Sequence, residues 1–98
     1  MLSYRHGFHA GNFADILKHA VLVHMLEYMT QKEKPLRIID THAGAGVYKL
    51  TGPQAQKNRE FDTGISRLWT GDNLPGALAR LRELVQTLND RGPLQIYP

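Results

Sequence analysis

The stretch Ile38-Ile39-Asp40-Thr41-His42-Ala43-Gly44-Ala45-Gly46 decides the expected fold of this chain. The apolar run of residues 36–39 is rich in β-branched side chains, which predicts a buried strand. Asp40 then stands at the carboxyl end of that strand, where open α/β sheets bind their ligands. Gly44 and Gly46 let the backbone approach a ligand without a Cβ in the way. The stretch therefore predicts an α/β nucleotide-binding domain with a cofactor loop.

The spacing of the glycines separates the classes of cofactor. A dinucleotide site requires G-x-G-x-x-G, but Val47, Tyr48 and Lys49 follow Gly46, so the third glycine is missing. No Gly-Lys-Ser/Thr follows either, which excludes a phosphate loop. The remaining pattern, D-x-x-A-G-x-G, is the form found in S-adenosylmethionine sites. The alternative without a ligand is a tight turn in which the glycines only relieve strain.

Length and composition limit the possible classes of protein. The chain has 98 residues, a formal net charge of +3 and no cysteine, so disulfides and thiolate metal sites are excluded. The basic charges are dispersed, which is compatible with a polyanionic partner without requiring one. We find neither a signal peptide nor an apolar run long enough to span a bilayer, and we expect a cytoplasmic protein without membrane contact.

The chain is short for the fold that its loop predicts. Open α/β sheets need more strands than 98 residues supply. The last apolar run, residues 94–97, ends abruptly at Pro98. We therefore expect the N-terminal part of a longer domain.

Residues 13–29 carry the clearest helical pattern. Asn12 is a predicted N-cap, and Asp15 stands three residues later at the capping-box position. Lys32 and Lys34 suit the C-terminal end of a helix, and Pro35 is expected to stop it. Apolar residues at helical spacing predict a broad face that covers a sheet. They are Phe13, Ile16, Leu17, Ala20, Val21, Val23, Leu26 and Met29.

The second half of the chain predicts further helices. After the turn Thr51-Gly52-Pro53, residues 54–69 show a helical stripe of Phe61, Ile65, Leu68 and Trp69. Residues 76–88 form an amphipathic pattern that Asp72 or Asn73 could cap, and residues 94–97 predict a strand or extended segment. We predict an arm, helix, strand and cofactor loop in residues 1–50. An inserted helical subdomain follows in residues 51–93, and residues 94–98 begin the returning core.

Five histidines raise the question of a metal site. His6 and His9 belong to no H-E-x-x-H helix and lack a partner pair of carboxylates, so we expect no metal. His24 is interpreted as an ordinary helix-face residue. If the helix of residues 13–29 packs beside the strand, His19 and His42 can both approach the cofactor loop, with Lys18 beside them.

The arm and the loop together resemble a known family. Tyr4-Arg5-His6-Gly7-Phe8-His9-Ala10-Gly11-Asn12, followed by Asp15, Leu17-Lys18-His19 and the loop of residues 40–46, looks like the opening of the RlmJ family. These are S-adenosylmethionine-dependent 23S ribosomal RNA adenine-N6 methyltransferases. The resemblance implies the N-terminal part of a Rossmann-like α/β methyltransferase with a small helical subdomain inserted after the glycine loop. It also implies 23S ribosomal RNA as the partner and a monomeric full-length protein.

The resemblance implies roles for individual residues, shared between cofactor and substrate. His19 and His42 match positions that contact S-adenosylmethionine, together with the loop that contains Asp40, Gly44 and Gly46. Tyr4 matches a position that faces the substrate RNA, whereas His6 and Lys18 match positions near the reacting centre and are assigned an assisting role.

One motif of the family is missing. The Asp-Pro-Pro-Tyr sequence that holds the target adenine occurs nowhere in this chain. The chain therefore has no catalytic residue of that motif, and we expect it to be inactive alone.

Three other functions stay open from the sequence. A non-enzymatic RNA-binding module could use the arm and the helices of residues 54–90, and such a module would ignore S-adenosylmethionine. A fragment of a DNA adenine-N6 methyltransferase is also compatible, because the residues that choose the target are absent. A nicotinamide oxidoreductase is least supported, since the third glycine of a dinucleotide loop is missing.

Overall fold

A computed structural model describes residues 4–98 as a mixture of short helices and strands. The first three residues of the predicted arm lie outside the described residues. The α-helices are α1 (Phe13–Met29), α2 (Pro53–Asn58), α3 (Ile65–Trp69) and α4 (Gly76–Leu88), with 3-10 turns at His6–Phe8 and Glu60–Thr63. The strands are β1 (Tyr48–Lys49) and β2 (Ile96–Tyr97), which pair antiparallel with Tyr48 opposite Tyr97.

The first helix confirms the predicted bounds and N-cap. The Asn12 side chain accepts a hydrogen bond from the Asp15 N–H at 2.8 Å. The reciprocal half of the predicted capping box is wrong, because the Asn12 N–H donates to the His9 carbonyl instead. The Asp15 carboxylate accepts from the Gly11 N–H at 3.0 Å, so it belongs to the arm as much as to the helix.

The residue that caps the end of α1 was not predicted from the sequence. The helix ends at Met29, and the Thr30 hydroxyl donates to the Leu26 carbonyl at 2.7 Å. Lys32, Lys34 and Pro35 lie beyond this cap, so their predicted part in ending the helix stays a prediction. The Thr30 N–H also donates to the Leu26 carbonyl at 2.9 Å, and the hydroxyl lies 3.3 Å from the Glu27 carbonyl, so Thr30 caps carbonyls of the last turn.

The buried strand predicted for residues 36–39 is wrong. These residues have no regular structure, and Ile38 and Ile39 are 66% and 76% exposed. A strand forms only where a neighbouring backbone offers hydrogen-bond partners, and none pairs with this segment within residues 4–98. Asp40 therefore lies in a loop in this structure and not at the carboxyl end of a strand.

The missed strand β1 follows the loop directly. Residues 48–49 pair with β2, and the Leu50 N–H donates to the Gln95 carbonyl at 2.8 Å. The last residues of the chain thus lie beside the loop. The expected extended segment at residues 94–97 is confirmed over Ile96–Tyr97.

The helices after the loop bury the predicted stripe. Phe61, Ile65 and Leu68 are buried, and Trp69 is half-buried. Helix α4 has the predicted bounds, but its N-cap is Pro75, without any side-chain cap. The prediction of Asp72 or Asn73 as its cap is wrong because Leu74 and Pro75 intervene, and Asn73 instead takes a left-handed turn with φ 54°.

The core lies between α1, α4 and the helical segment that connects β1 to α4. Its buried apolar members are Ala10, Ile16, Ala20, Leu50, Ala55, Phe61, Ile65, Leu68, Leu81, Val85 and Tyr97. Only Ile16 and Ala20 of the predicted sheet-covering face of α1 are buried, whereas most of its large side chains face outward. The prediction that this face covers a sheet is wrong for this chain, since the sheet found among residues 4–98 has only two strands of two residues each and most of the face stays exposed.

Among residues 4–98, no helix has the length and apolar character that crossing a membrane requires. The division into an arm with its loop, an inserted helical subdomain and a returning core stays a prediction.

Candidate functional site

A single cavity of about 630 Å³ collects the site residues selected from the sequence. Its volume lies within the range of small-molecule sites. All eight selected residues line it: Tyr4, His6, Lys18, His19, Asp40, His42, Gly44 and Gly46. Ala43 of the same loop, Tyr48 and Pro98 complete the lining, and the sequence did not indicate Tyr48 or Pro98. The arm, α1, the glycine loop and the end of the chain thus enclose one space.

The glycine loop takes its shape from local bonds. The Asp40 carboxylate accepts from the His42 N–H at 3.0 Å, which closes a turn at the start of the loop. The Ala45 N–H donates to the Tyr48 hydroxyl at 3.1 Å. A Cβ at Gly44 would collide with that hydroxyl, so the loop folds closely around it.

Gly46 is required for a different reason. A Cβ there would meet nothing within 4 Å, but the residue has φ +86°, a conformation that L side chains rarely adopt. The open space beside it belongs to the cavity. The loop thus presents backbone to the cavity, as a cofactor cradle requires.

His19 reaches the cavity from α1 with its protonation state fixed by burial. Burial lowers the pKa of His19, against the opposing charge of Asp15, and burial raises the pKa of Tyr97. A neutral imidazole and a protonated phenol therefore share a hydrogen bond of 2.7 Å between Nδ1 and the hydroxyl. Tyr97 is fully buried, so its O–H needs this acceptor. The hydroxyl donates to Nδ1, and Nε2–H is left as a donor for a ligand.

Asp15 is the buried charge beside the cavity. Its Oδ2 accepts from His6 Nε2 at 2.9 Å and from the Gly11 N–H, while its Oδ1 lies 2.8 Å from the Lys18 ammonium. Burial works to raise the pKa of Asp15. The hydrogen bonds from Lys18, Gly11 and His6 outweigh it and hold that pKa below its ordinary value. The carboxylate is therefore ionised.

Tyr4 extends the hydrogen-bond network of Asp15 and His6 to the protein surface. Its hydroxyl lies 2.5 Å from His6 Nδ1, and its ring stacks on His9 at a centroid distance of 5.3 Å. Because a carboxylate only accepts, the His6 Nε2–H donates to Asp15, and the other ring nitrogen, Nδ1, faces the Tyr4 hydroxyl. Tyr4 is 73% exposed, so a hydrogen-bonded hydroxyl is combined with an accessible ring face.

The arm is also attached to the 3-10 turn at residues 60–63. His9 Nδ1 lies 3.0 Å from the Glu60 carboxylate, and the Asn12 amide donates to the same carboxylate at 3.1 Å. The hydrogen bond from His9, followed by that from Asn12, lowers the pKa of Glu60. No local pattern predicts the His9–Glu60 pair, because the two residues are 51 positions apart.

The remaining expectations concern metals and His24. Among residues 4–98, no group of three or more histidine or acidic side chains is placed to hold a metal ion. His24 is exposed on α1 and does not line the cavity.

Comparison with known proteins places the chain in a family. A family model described as "Ribosomal RNA large subunit methyltransferase D, RlmJ" matches residues 33–98. The chain belongs to this family. The resemblance drawn from the arm and the loop is thereby confirmed.

Two curated relatives agree with the RlmJ assignment. Ribosomal RNA large subunit methyltransferase J of Escherichia coli strain K12 is 47% identical over 98 residues, which is all of this chain and 35% of the relative. The protein of the same name from Haemophilus influenzae is 47% identical over 92 residues, 94% of this chain and 33% of the relative. The chain therefore spans about a third of the length of these relatives.

A solved structure shares the fold of this RlmJ-family chain. It is the crystal structure of a protein from Legionella pneumophila strain Philadelphia 1, with a TM-score of 0.79 and 37% sequence identity. The similarity covers 91% of this chain and 32% of the Legionella chain.

Proposed function

We propose that this chain forms the cofactor-binding portion of an S-adenosylmethionine-dependent methyltransferase that acts on adenine N6 of 23S ribosomal RNA in the cytoplasm. The observation that carries the proposal is the convergence of eight motif residues on one cavity in a chain of the RlmJ family. The proposal includes a Rossmann-like core in the longer protein, with residues 51–93 as a helical subdomain inserted into it.

The lining of the cavity suits the chemistry of S-adenosylmethionine. The Lys18 ammonium and the His19 Nε2–H are donors that can hold the carboxylate of the cofactor. Asp40 is an acceptor that can hold its amino group, and the backbone at Gly44 and Gly46 leaves room for close approach. His42 supplies a further polar edge. When bound, the cofactor supplies an electrophilic methyl group, and the protein supplies binding and orientation.

Tyr4 has the properties of an RNA contact. An exposed aromatic ring can stack on a nucleobase, which is worth about 1–3 kcal/mol per base. Its hydroxyl is held by His6, so the ring orientation is fixed before RNA arrives. A target adenine must leave its stack to reach an enclosed site, and a preoriented ring beside the cavity offers a replacement stacking partner. His6 and Lys18 line the same cavity as Tyr4 and are assigned an assisting role near the reacting centre.

Cofactor binding and methyl transfer are tested separately. Isothermal titration of S-adenosylmethionine into the chain should show saturable binding that a His42→Ala variant weakens and a His24→Ala variant leaves unchanged. No heat of binding in the wild-type chain would contradict the cofactor assignment. Incubation with labelled cofactor and unmodified 23S ribosomal RNA should give no N6-methyladenine, because Asp-Pro-Pro-Tyr is absent. Robust methylation would show that the chain is catalytically sufficient.

The RNA contact has its own test. Tyr4→Ala should weaken binding of a 23S ribosomal RNA oligonucleotide and leave cofactor affinity nearly unchanged, since the ring is exposed outside the glycine loop. Equal loss of both affinities would contradict the assignment of Tyr4 to RNA.

A non-enzymatic RNA-binding module is the second candidate. The exposed ring of Tyr4, stacked on the half-buried ring of His9, favours it, because such a pair is a platform for a base without any cofactor. RNA binding by a chain that ignores S-adenosylmethionine would favour this function over the first.

A further inference from the structure

Asp15 is a buried charge for which neither cofactor binding nor RNA contact gives a use. It is 3% exposed, the only buried charged residue in the described part of the chain. An ionised carboxylate is costly to bury unless it is paired and hydrogen-bonded. Its partners are His6, Lys18 and the Gly11 N–H, so the partners and not the core explain its position.

The side chains bonded to Asp15 stand between two cavities. Besides the cavity of about 630 Å³, a second cavity of about 300 Å³ is lined by Tyr4, His6, His9, Asn12, Ala14, Asp15 and Lys18. Tyr4, His6 and Lys18 line both. These three side chains therefore form a partition between the two cavities. A molecule in either cavity would contact this partition.

Neither partner would hold its place without the carboxylate. The Lys18 side chain is 60% exposed, and a free lysine loses considerable rotamer entropy when it is fixed. The His6 ring could carry its proton on either nitrogen, but only an Nε2–H can donate to Asp15. That tautomer leaves Nδ1 as the acceptor for the Tyr4 hydroxyl. The buried carboxylate of Asp15 thus fixes the position of the Lys18 ammonium, the tautomer of the His6 ring and the hydroxyl of Tyr4.

Gly11 connects the same carboxylate to the fold of the arm. Its N–H donates to Asp15, its φ is +76°, and its carbonyl accepts from the Ile65 N–H at 2.8 Å. Asp15 is therefore attached through Gly11 to the backbone that joins the arm to α3, as a positioning group must be.

We propose that Asp15 is a positioning residue that orients His6 and Lys18 in the partition between the two cavities. By orienting His6 it also fixes the hydroxyl of Tyr4, the third side chain of the partition. The proposal rests on the proposed function only for the identity of the ligand. The geometry of the partition is a property of the chain alone.

The first test reads the tautomer of His6 directly. Nitrogen-15 spectra of the histidine rings, assigned with a His6→Gln variant, should show His6 in a single Nε2–H tautomer at neutral pH. In Asp15→Asn the ring should average between tautomers, because the amide can donate as well as accept. The matched control is Asp62→Asn, which removes an exposed carboxylate paired with Arg59 away from both cavities. It should leave the His6 spectrum unchanged.

The second test measures ligand affinity on the same variants. Asp15→Asn should weaken S-adenosylmethionine binding by about tenfold or more, as expected for losing a charged hydrogen bond that orients a ligand contact. In a His6→Gln, Lys18→Met background the same substitution should have no further effect. If the role of Asp15 were purely structural, Asp15→Asn would lower the midpoint of thermal unfolding equally in both backgrounds. In the wild-type background it would leave the tautomer of His6 unchanged.

The outcomes separate the two proposals. A single His6 tautomer that persists in folded Asp15→Asn, with unchanged affinity, overturns the positioning role. If Asp15→Asn does not fold, the wild-type spectrum decides: an averaged His6 ring overturns the role and a single Nε2–H tautomer supports it. A wild-type chain that shows the tautomer effect but binds no cofactor contradicts the proposed function and supports the role of Asp15.

Discussion

The Nδ1 atom of His19 lies 2.7 Å from the hydroxyl of Tyr97, a bond that joins the middle of α1 to the last strand. The two residues are 78 positions apart. Because β2 pairs with β1 next to the glycine loop, this bond holds the helix, the loop and the end of the chain around one cavity. The site thus depends on a contact between residues that no local pattern connects.

Removing the Tyr97 hydroxyl tests that bond. Tyr97→Phe should fold with a loss of about 1 kcal/mol, the net value of a neutral hydrogen bond. It should also weaken cofactor binding, because His19 no longer has a fixed tautomer. Thermal unfolding and calorimetric titration measure the two effects. Tyr28→Phe, at an exposed tyrosine of α1, should change neither.

Stability should fall as the pH is lowered, in two stages. Burial lowers the pKa of His19 from its ordinary 6.5, so the unfolded chain binds more protons and folding weakens as the pH falls below about 6.5. Asp15 and Glu60 have pKa values below their ordinary 3.8 and 4.5, which adds a second loss at lower pH. Urea unfolding at pH 8, 6 and 4 measures this. A His19→Gln variant should lose its share of the first stage, and a profile identical to wild type would contradict the assignment.

The two loop glycines should respond differently to alanine. Gly44→Ala should distort the loop because the new Cβ collides with the Tyr48 hydroxyl, and Tyr48→Phe should partly restore cofactor affinity. Gly46→Ala should cost about 1 kcal/mol through its positive φ, with no rescue by Tyr48→Phe. Gly76→Ala is the control, since a Cβ there meets nothing within 4 Å. Equal rescue of both loop variants would argue against the steric explanation.

Glu60 should hold the arm in place. Glu60→Gln removes the charge that binds His9 and weakens the acceptor for Asn12, so the amides of residues 8–12 should exchange faster with solvent. Hydrogen exchange followed by NMR measures this. Glu83→Gln, at an exposed carboxylate of α4 paired with Arg80, should leave the arm unchanged.

The outward face of α1 should contribute little to stability. Leu17 is 66% exposed, so Leu17→Ala should change the free energy of unfolding only slightly, whereas Ile65→Ala should cost about 2–5 kcal/mol because Ile65 is fully buried. Leu17→Ala should also reduce binding of a hydrophobic dye, since it removes part of an exposed apolar surface. A large loss of stability in Leu17→Ala would mean that this face is covered in solution.

Local patterns predicted the features that local forces decide. Helices α1 and α4 have the bounds that their apolar spacing indicates, and Asn12 caps α1 as its side chain favours. Where a cap or a strand needed a specific partner, the same reasoning failed. The cap of α1 at Thr30 was missed, and residues 36–39 form no strand because no other backbone within residues 4–98 pairs with them.

The sequence by itself determined the family, through the arm and the loop, and the residue types gathered at the site. Only the tertiary structure decided that Asp15, predicted at a capping-box position, is a buried partner of His6 and Lys18, and that Tyr97 is hydrogen-bonded to His19. For Tyr97 and His19 the physical reason is their separation of 78 positions, and for Asp15 it is the burial of its carboxylate, which local spacing does not report. Spacing along a chain indicates which residues lie on the same face of a helix. It does not indicate which partners will offset the cost of burying a charge or a phenol, because folding brings those partners together.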